Sequence, residues 1–255
     1  MDLRLPTYLG KGYKSGSQLA RRITEPCGAE NLYCCSCNSD HLDPEKTNAQ
    51  VSDFLCSECA GRYQLKSQSR KLGSRILGSN YERMLDAVLR NKTPHFFLLH
   101  YQLPEWIVRN LLLIPRFAIS PSVLIKRQPL SAEARRSEWI GYVLDIRLIP
   151  ESAKIPLIRD GTEVNRDDVR ERYARIARLQ ALKPEQRGWT LDVLRCVESL
   201  SDPVFTNDQI YSFEANFAEL YPANHNIRPK IRQQLQVLRD RGLLRSPRRG
   251  VWQRN

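Results

Sequence analysis

Two Cys-x-x-Cys pairs constrain the fold of this chain more than any other feature of its sequence. Cys34 and Cys37 form the first pair, and Cys56 and Cys59 form the second after eighteen intervening residues. Each pair can turn two thiolates toward one centre, and two such pairs complete a tetrahedral shell of four sulfurs. We therefore expect a structural Zn²⁺ site, because four protein ligands leave no position open for catalysis. The alternative is a chance clustering of reduced cysteines.

The other three cysteines, Cys27, Cys35 and Cys196, lack this spacing, and each is interpreted as a small apolar residue or a chance neighbour of the metal site. Disulfide bonds are a weaker explanation, because seven is an odd number and six of the cysteines crowd into residues 27–59. A chain of 255 residues can bury a core without covalent cross-links. We expect reduced thiols and a cytoplasmic location.

The charge balance points to an acidic partner. Forty Lys and Arg residues stand against 28 Asp and Glu residues, which gives a net charge of +12. No stretch approaches the roughly 18 consecutive apolar residues of a membrane span, and the first residues lack the apolar region of a secretory signal. We expect a chain that does not associate with membranes and whose partner is nucleic acid.

The hydrophobic pattern of the first 182 residues is typical of an α/β domain. It predicts a helix, two strands, a second helix and two more strands, at residues 15–25, 50–55, 62–67, 80–90, 95–101 and 106–114. The segment 121–160 is punctuated by prolines and is predicted to be irregular, whereas 165–180 has the spacing of an amphipathic helix. We place this domain at residues 1–182.

Residues 183–255 have the pattern of a winged-helix domain that begins with a linker at 183–188. Three predicted helices follow, at residues 190–200, 206–220 and 226–241, and two short apolar arms around a Pro/Gly turn end the chain. Charge is sorted within this domain. Residues 188–223 contain one Arg and six acids, whereas residues 224–255 contain nine Lys or Arg and one acid. Such sorting suits a surface that faces phosphates.

The third of these helices is the predicted DNA-reading element. Its apolar stripe is formed by Ile227, Ile231, Leu235 and Leu238. Polar side chains occupy the neighbouring and outer faces, at Arg228, Arg232, Gln233, Gln236 and Arg239. Arg and Gln carry paired donors or acceptors that match guanine and adenine edges in the major groove. The wing adds Arg245, Arg248 and Arg249. The alternative is a solvated helix face.

A second candidate site flanks the second cysteine pair. Asp53 lies on one predicted strand, and the next strand carries Gln64, Leu65 and Lys66. Strand alternation puts Gln64 and Lys66 on one face and turns Leu65 into the core. A carboxylate, an oxygen ligand and a lysine can together hold Mg²⁺ and a water that attacks a phosphate. By itself the pattern is weak, and a surface acid and lysine beside a zinc hairpin explain it at least as well.

Longer motifs resemble those of a known family. They are S-x-x-A-R-x-x-T-E at 17–25, ARR-x-x-WIG at 134–141, RGWT at 187–190 and HNIR-x-KIRQQLQVLRD at 225–240. Together with the cysteine pairs they resemble the DpnI-like family of methyladenine-dependent type II restriction endonucleases, which are PD-(D/E)XK nucleases. The resemblance implies an α/β (α+β) nuclease core with a four-cysteine zinc insertion, and a mainly α winged-helix domain at the C-terminus.

The resemblance also implies roles in the second candidate site. Asp53, Gln64 and the main-chain carbonyl of Leu65 are expected to bind Mg²⁺, and Lys66 is expected to be the catalytic lysine. Gln64 departs from the family pattern, in which Glu stands at this position. With one negative charge fewer, Mg²⁺ binding is expected to weaken, and activity to fall or shift toward Mn²⁺.

The implied substrate is adenine-methylated double-stranded DNA, cut at G–N6-methyladenine–T–C by a monomer that reads the site with each domain. Trp139 falls where the family has an aromatic residue near the methylated bases, and a core tryptophan is the alternative. Arg135 and Arg136 are expected to contact phosphates, or else to form a solvated basic pair. Two rival functions are a non-cleaving reader of methylated DNA, decayed at Gln64, and a winged-helix regulator with a zinc module.

Overall fold

The computed structural model describes residues 1–45, 52–129 and 138–255. Its α-helices are α1 (Gly16–Asn31), α2 (Tyr81–Leu89), α3 (Arg166–Ala177), α4 (Pro184–Ser199), α5 (Asn207–Tyr211), α6 (Glu214–Leu220) and α7 (Ile227–Asp240). Its strands are β1 (Asp43–Pro44), β2 (Phe54–Leu55), β3 (Arg62–Gln68), β4 (Arg75–Gly78), β5 (His95–Gln102), β6 (Ile107–Ile114), β7 (Leu124–Lys126), β8 (Tyr142–Asp145), β9 (Ile155–Arg159), β10 (Thr162–Glu163), β11 (Val204–Thr206), β12 (Leu244–Arg248) and β13 (Val251–Arg254). Contacts divide the chain into two compact units, each assembled from separate stretches of sequence.

The first unit comprises residues 1–74, 93–116 and 152–174. Its centre is a mixed sheet with the strand order β1-β2-β3-β5-β6-β9-β10. β3 and β5 pair in parallel, and the other neighbouring strands are antiparallel. Consecutive residues of β5, such as Phe96 and Phe97, are buried, so this strand is covered on both faces. Its long apolar run is therefore what the centre of the sheet requires.

Helix α1 packs against β3, the strand that carries part of the second candidate site. Thr24 is buried on the inner face of the helix, and its Oγ1 lies 3.1 Å from Ser67 Oγ on β3. Gly28 permits a close approach, because a Cβ at this position would lie 2.8 Å from the Phe54 ring. The helix continues through Pro26, beyond its predicted end. The packing of the helix on the sheet outweighs the local cost of this proline.

The second unit comprises residues 75–92, 117–151 and 175–255. It contains a small antiparallel sheet, β4-β8-β7, and a C-terminal winged helix in which α4 to α7 accompany the sheet β11-β13-β12. The predicted stripe of α7 lies in the core, where Ile231, Leu235 and Leu238 are fully buried. The predicted combination of an α/β core and a mainly α winged-helix domain is confirmed. The domain boundary between residues 182 and 183 stays a prediction.

The structure corrects the prediction that residues 121–160 are irregular, because β7, β8 and β9 lie in this range. Each of these strands has only three to five residues. Periodicity needs more positions than that to reveal a strand. The single helix predicted at 206–220 is likewise divided into α5 and α6. Among the helices of the described residues, none combines the length and the apolarity that a bilayer span requires.

The predicted linker at 183–188 is also wrong, since these residues begin helix α4. Lys183 is the N-cap, and Pro184 occupies the first turn, where its missing N–H is not needed. Arg187 is buried in the same turn, and its guanidinium donates to the Leu182 carbonyl at 2.9 Å. A proline next to charged residues suggested a linker, but this proline marks a helix start.

Candidate functional site

The four cysteines of the two pairs converge on one centre. Their Sγ atoms all lie within 4.8 Å of one another. Cys34 Sγ is 3.6 Å from Cys59 Sγ, and Cys37 Sγ is 3.6 Å from Cys56 Sγ. Sulfurs bound to one tetrahedral Zn²⁺ at about 2.3 Å stand about 3.8 Å apart. The four sulfurs therefore have nearly the geometry of a structural zinc site, as the spacing of the cysteines predicted.

Strand β3 and the first cysteine pair supply hydrogen bonds to this cluster. Tyr63 Oη lies 3.1 Å from Cys34 Sγ and accepts the main-chain N–H of Cys35 at 3.3 Å. Ser36 Oγ lies 3.1 Å from the same sulfur. Burial opposes ionisation of Cys34, but hydrogen bonds from Ser36 and Tyr63 outweigh it and lower the pKa of the thiol to about 7. The hydrogen bonds at Cys34 thus favour its thiolate, the form that binds a metal, whereas burial raises the pKa of Cys37 and of Cys59.

The cysteines outside the cluster, Cys27, Cys35 and Cys196, are all buried. Burial raises the pKa of Cys27 and of Cys196 to about 11, and it also raises the pKa of Cys35. Their thiols stay protonated at neutral pH and pack in the interior as small, weakly polar groups. These positions match the interpretation of the three cysteines as core residues.

The structure brings Asp53 next to the β3 residues of the second candidate site. The Leu65 N–H donates to Asp53 Oδ2 at 2.8 Å, and the Asp53 N–H donates to the Tyr63 carbonyl at 2.8 Å. Phe54 on β2 pairs with Tyr63 on β3 in antiparallel register, and Asp53 immediately precedes Phe54. The acid, the amide and the lysine of the predicted site therefore lie on neighbouring segments of one sheet.

Leu65 departs from the expectation that it turns into the core, because it is only half-buried, like Gln64 and Lys66. The reason is the shortness of β2, which pairs with β3 at Arg62 and Tyr63 alone. From Gln64 onward, among the described residues, β3 has β5 as its partner on one side and no strand on the other. The site therefore stands at an open part of the sheet.

Asp53 and Lys66 influence each other's ionisation. Burial raises the pKa of Asp53, while the Leu65 N–H and the charges of Lys66 and Arg21 act to lower it. Burial lowers the pKa of Lys66, and the Asp53 carboxylate opposes this shift. An acid and a lysine displaced toward neutrality by burial are characteristic of functional sites. Such a lysine is suited to orient a water or to accept its proton.

The donor atoms of this site suit a hard divalent cation. Asp53, Gln64 and Leu65 can offer a carboxylate, an amide and a main-chain carbonyl oxygen, the ligand types that Mg²⁺ prefers. The hydrogen bond from Leu65 orients the carboxylate through Oδ2. Within the part of the chain that the structure describes, Oδ1 accepts no hydrogen bond. The residues therefore fit the cation that the sequence motifs implied.

Arg21 is a neighbour of this site that the sequence analysis gave no role. It lies on α1, its charge acts on Asp53, and its Nε donates to Glu25 Oε1 at 2.6 Å. Arg21 belongs to the family motif at 17–25, but its local pattern, an Arg and a Glu four residues apart, is common on exposed helices and indicates no role. The packing of α1 on β3 had to be known before the charge of Arg21 could be related to the carboxylate.

Helix α7 presents its predicted polar face to solvent. The exposed side chains of this face are Arg228, Arg232, Gln233, Gln236 and Arg239, and those of the wing are Arg245, Arg248 and Arg249. Arg228 Nε donates to Glu214 Oε2 at 2.7 Å, and Arg239 Nη2 donates to Asp240 Oδ1 at 2.8 Å. Arg232 forms no ion pair with any described residue. Of the three arginines on this face of α7, Arg232 is therefore the one whose charge is not engaged by an acid among the described residues.

Two family models match nearly the whole chain. The model DpnI, described as the Dam-replacing family, matches residues 1–182. The chain belongs to the Dam-replacing family. The second model, the Dam-replacing HTH domain, matches residues 185–254, the segment that contains α7 and the wing. The match confirms the family resemblance that the motifs indicated, and a DNA-binding winged helix makes DNA the partner of this Dam-replacing protein.

The remaining predicted contact residues of this Dam-replacing chain precede β8. Trp139 is half-buried, and the absence of a side chain at Gly141 gives its ring room, because a Cβ there would lie 2.9 Å from Trp139 Cη2. Arg135 and Arg136 lie outside the described residues. Trp139 is thus not fully enclosed in a core, and its ring keeps a solvent-facing part.

The Dam-replacing HTH domain also contains buried polar groups that the sequence analysis missed. Gln234, in the middle of α7, is fully buried and accepts a hydrogen bond from Thr190 Oγ1 at 2.8 Å. Asp192 is buried as well and accepts from Tyr221 Oη at 2.5 Å. Gln234 stands between the exposed Gln233 and Gln236 in a run of similar residues, so composition alone could not separate it from the DNA-facing side chains.

Proposed function

We propose that this member of the Dam-replacing family is a Mg²⁺-dependent type II restriction endonuclease that cleaves double-stranded DNA at G–N6-methyladenine–T–C. It acts in the cytoplasm as a monomer and carries a structural Zn²⁺ on its four clustered cysteines. The observation that supports cleavage most directly is the orientation of the Asp53 carboxylate by the Leu65 N–H, beside Gln64 and Lys66. Family membership supports a methylated substrate.

The chemistry assigns a separate task to each residue of the site. Asp53, Gln64 and the Leu65 carbonyl hold the divalent cation, which when bound supplies stabilisation of the charge that develops on the phosphate. Lys66 orients a water and eases loss of its proton, because burial disfavours the ammonium form. The water oxygen attacks phosphorus in line, the bond to the 3′ oxygen breaks and that oxygen takes a proton from solvent, which leaves a 5′-phosphate and a 3′-hydroxyl.

The DNA contacts are divided between the two family domains. In the winged helix, the exposed arginines and glutamines of α7 read the major groove, and the wing arginines contact phosphates. In the nuclease domain, Trp139 lies against the methylated base and Arg135 and Arg136 contact the backbone. An N6-methyl group projects into the major groove, where an aromatic side chain can cover it.

Restoring the second carboxylate should strengthen the cation site. We expect Gln64→Glu to lower the Mg²⁺ concentration needed for half-maximal cleavage by about tenfold, because one more negative charge near a divalent cation contributes on the order of 1 kcal/mol or more. The measurement is a Mg²⁺ titration of the cleavage rate. Gln68→Glu, the same change on the same strand, is the matched control and should leave the midpoint unmoved. Equal midpoints for all three proteins would remove Gln64 from the metal site.

The exposed arginines of α7 predict a measurable salt dependence. We expect Arg232→Ala to weaken binding to duplex DNA and to reduce the slope of log K against log salt by about 0.9, the contribution of one phosphate contact. Arg228→Ala should change the slope less, since Arg228 is already paired with Glu214. Fluorescence anisotropy at several salt concentrations measures both. An unchanged slope for Arg232→Ala would show that this face does not meet the backbone.

The presence of Gln64 where the family has Glu is the one observation that favours a rival function. In this rival the protein binds methylated DNA but does not cleave it. The test is a duplex with a single methylated GATC site, incubated with the protein and either Mg²⁺ or Mn²⁺. Blunt fragments with 5′-phosphates are the expected products. Binding of the methylated duplex without cleavage in either metal would establish the reader. Binding that ignores methylation would instead favour a winged-helix regulator.

A further inference from the structure

One residue of strand β3, Tyr63, contacts both the cysteine cluster and Asp53. Its hydroxyl lies 3.1 Å from Cys34 Sγ and accepts the Cys35 N–H at 3.3 Å. Its main-chain carbonyl accepts the Asp53 N–H at 2.8 Å. The next residue along the strand is Gln64. The side chain and the main chain of Tyr63 thus connect the sulfur of Cys34 to Asp53 and Gln64, two of the proposed magnesium ligands.

The packing of Tyr63 prevents its ring from moving independently of the strand. The side chain is fully buried, and the ring stacks on His95 with centroids 4.8 Å apart and on Phe97 with centroids 5.1 Å apart. Hydrogen bonds of a buried hydroxyl cannot be replaced by water without cost. A displacement of the first cysteine pair is therefore transmitted to β3 rather than absorbed by a loose side chain.

We propose that Tyr63 is a positioning residue that ties the four-cysteine cluster to strand β3, so that metal binding by the cysteines fixes the backbone at Asp53 and Leu65. With metal bound, the Cys34 thiolate accepts the Tyr63 O–H, and the Cys35 N–H donates to the same phenol oxygen. The consequence for cleavage rests on the proposed function. The link between the cysteine cluster and strand β3 does not rest on the proposed function, and it can be measured in a protein that does not cleave DNA.

Tyr33 provides a matched control for the hydroxyl of Tyr63. Tyr33 is also fully buried and is the neighbour of Cys34 in sequence, but its hydroxyl has no hydrogen-bond partner among the described residues. Tyr63→Phe and Tyr33→Phe therefore each remove one buried phenol oxygen, but only the oxygen of Tyr63 has hydrogen-bond partners among the described residues. In Tyr63→Phe the ring can keep its stacking on His95 and Phe97, so the change is confined to the hydrogen bonds.

The experiment compares zinc release and amide exchange in the zinc-loaded full-length proteins. We expect Tyr63→Phe to lose Zn²⁺ to a chromogenic chelator at least about tenfold more readily than wild type, since removal of an outer-shell hydrogen bond costs about 10–100-fold in metal affinity. The amides of Asp53 and Leu65 should exchange faster, with those of α7 unchanged. Tyr33→Phe should match wild type in both. Wild-type zinc retention in Tyr63→Phe would overturn the proposal, as would faster release with unaltered exchange at Asp53 and Leu65.

A measurement on the wild-type protein covers the case in which Tyr63→Phe does not fold. Gradual removal of Zn²⁺ by the chelator should accelerate exchange at Asp53 and Leu65 before it does so at the β6 amides of the same sheet. Protection that persists at Asp53 and Leu65 after the zinc is gone would contradict the tie. Failure of the proposed function would give a different result. The zinc-loaded wild-type protein would leave methylated DNA intact, while the zinc-release and amide-exchange results would still be as predicted.

Discussion

Lys66→Met is expected to reduce the rate of DNA cleavage by between about 10² and 10⁴-fold, the range that a positioned proton-transfer group contributes. The variant should bind methylated duplex within about threefold of wild type. Lys66 is half-buried, and the Asp53 carboxylate counteracts the lowering of its pKa by burial. Methionine keeps the length and apolar character of the side chain, so the change removes the amine with little disturbance of packing.

The control for this variant is Lys71→Met, which removes a charge from an exposed position just beyond the same strand. It should cleave at a rate close to that of wild type. Single-turnover cleavage and equilibrium binding, measured on one methylated duplex, separate chemistry from affinity. A Lys66→Met protein that cuts normally would exclude Lys66 from catalysis. A parallel loss of binding and cleavage would make it a DNA contact or a structural residue.

The second large effect is expected from loss of a cysteine ligand. Cys56→Ala should abolish stoichiometric zinc binding and strongly destabilise the unit that carries β3, beginning at the strands next to the cluster, because structural Zn²⁺ contributes on the order of 10 kcal/mol. This contribution of zinc is comparable with the whole free energy of unfolding of a typical domain, about 5–15 kcal/mol. The measurements are zinc content by metal analysis and thermal unfolding followed by circular dichroism.

Cys35→Ala is the matched control for Cys56→Ala. Both cysteines are buried, but Cys35 is not one of the four clustered ligands. We expect Cys35→Ala to retain one Zn²⁺ per chain and to lose only about 1 kcal/mol of stability, the cost of removing a small buried group. A Cys56→Ala protein with unchanged melting temperature would refute the structural zinc. Equal destabilisation by both variants would mean that packing, rather than metal, explains the effect.

The cysteine cluster and the winged helix could be predicted because their signals are local. Two residues between paired cysteines fix the turn that brings their sulfurs together, and the stripe from Ile227 to Leu238 repeats at the helical period. The pairing of Asp53 with the segment around Gln64 followed from strand alternation and the family resemblance. These features need little knowledge of how distant parts of the chain meet.

The features that sequence could not supply depend on tertiary contacts. Arg21 is thirty-two positions from Asp53 in the sequence, and its charge acts to lower the pKa of that carboxyl because α1 packs on β3. Leu65 was expected in the core, but the short β2 leaves its side of β3 open. Gln234 is buried where α7 packs on α4 and accepts a hydrogen bond from Thr190, although the similar residues Gln233 and Gln236 face solvent. In each case the partner, rather than the residue itself, decides the environment.

The most direct test of methylation-dependent cleavage uses two plasmids that differ only in adenine methylation at GATC. The purified protein is incubated with each plasmid and Mg²⁺, and in parallel with Mn²⁺. Fragments of discrete size from the methylated plasmid alone are the predicted result, and they would show that Gln64 serves in place of a carboxylate. Equal cutting of both plasmids, or an intact methylated plasmid in both metals, would contradict the account.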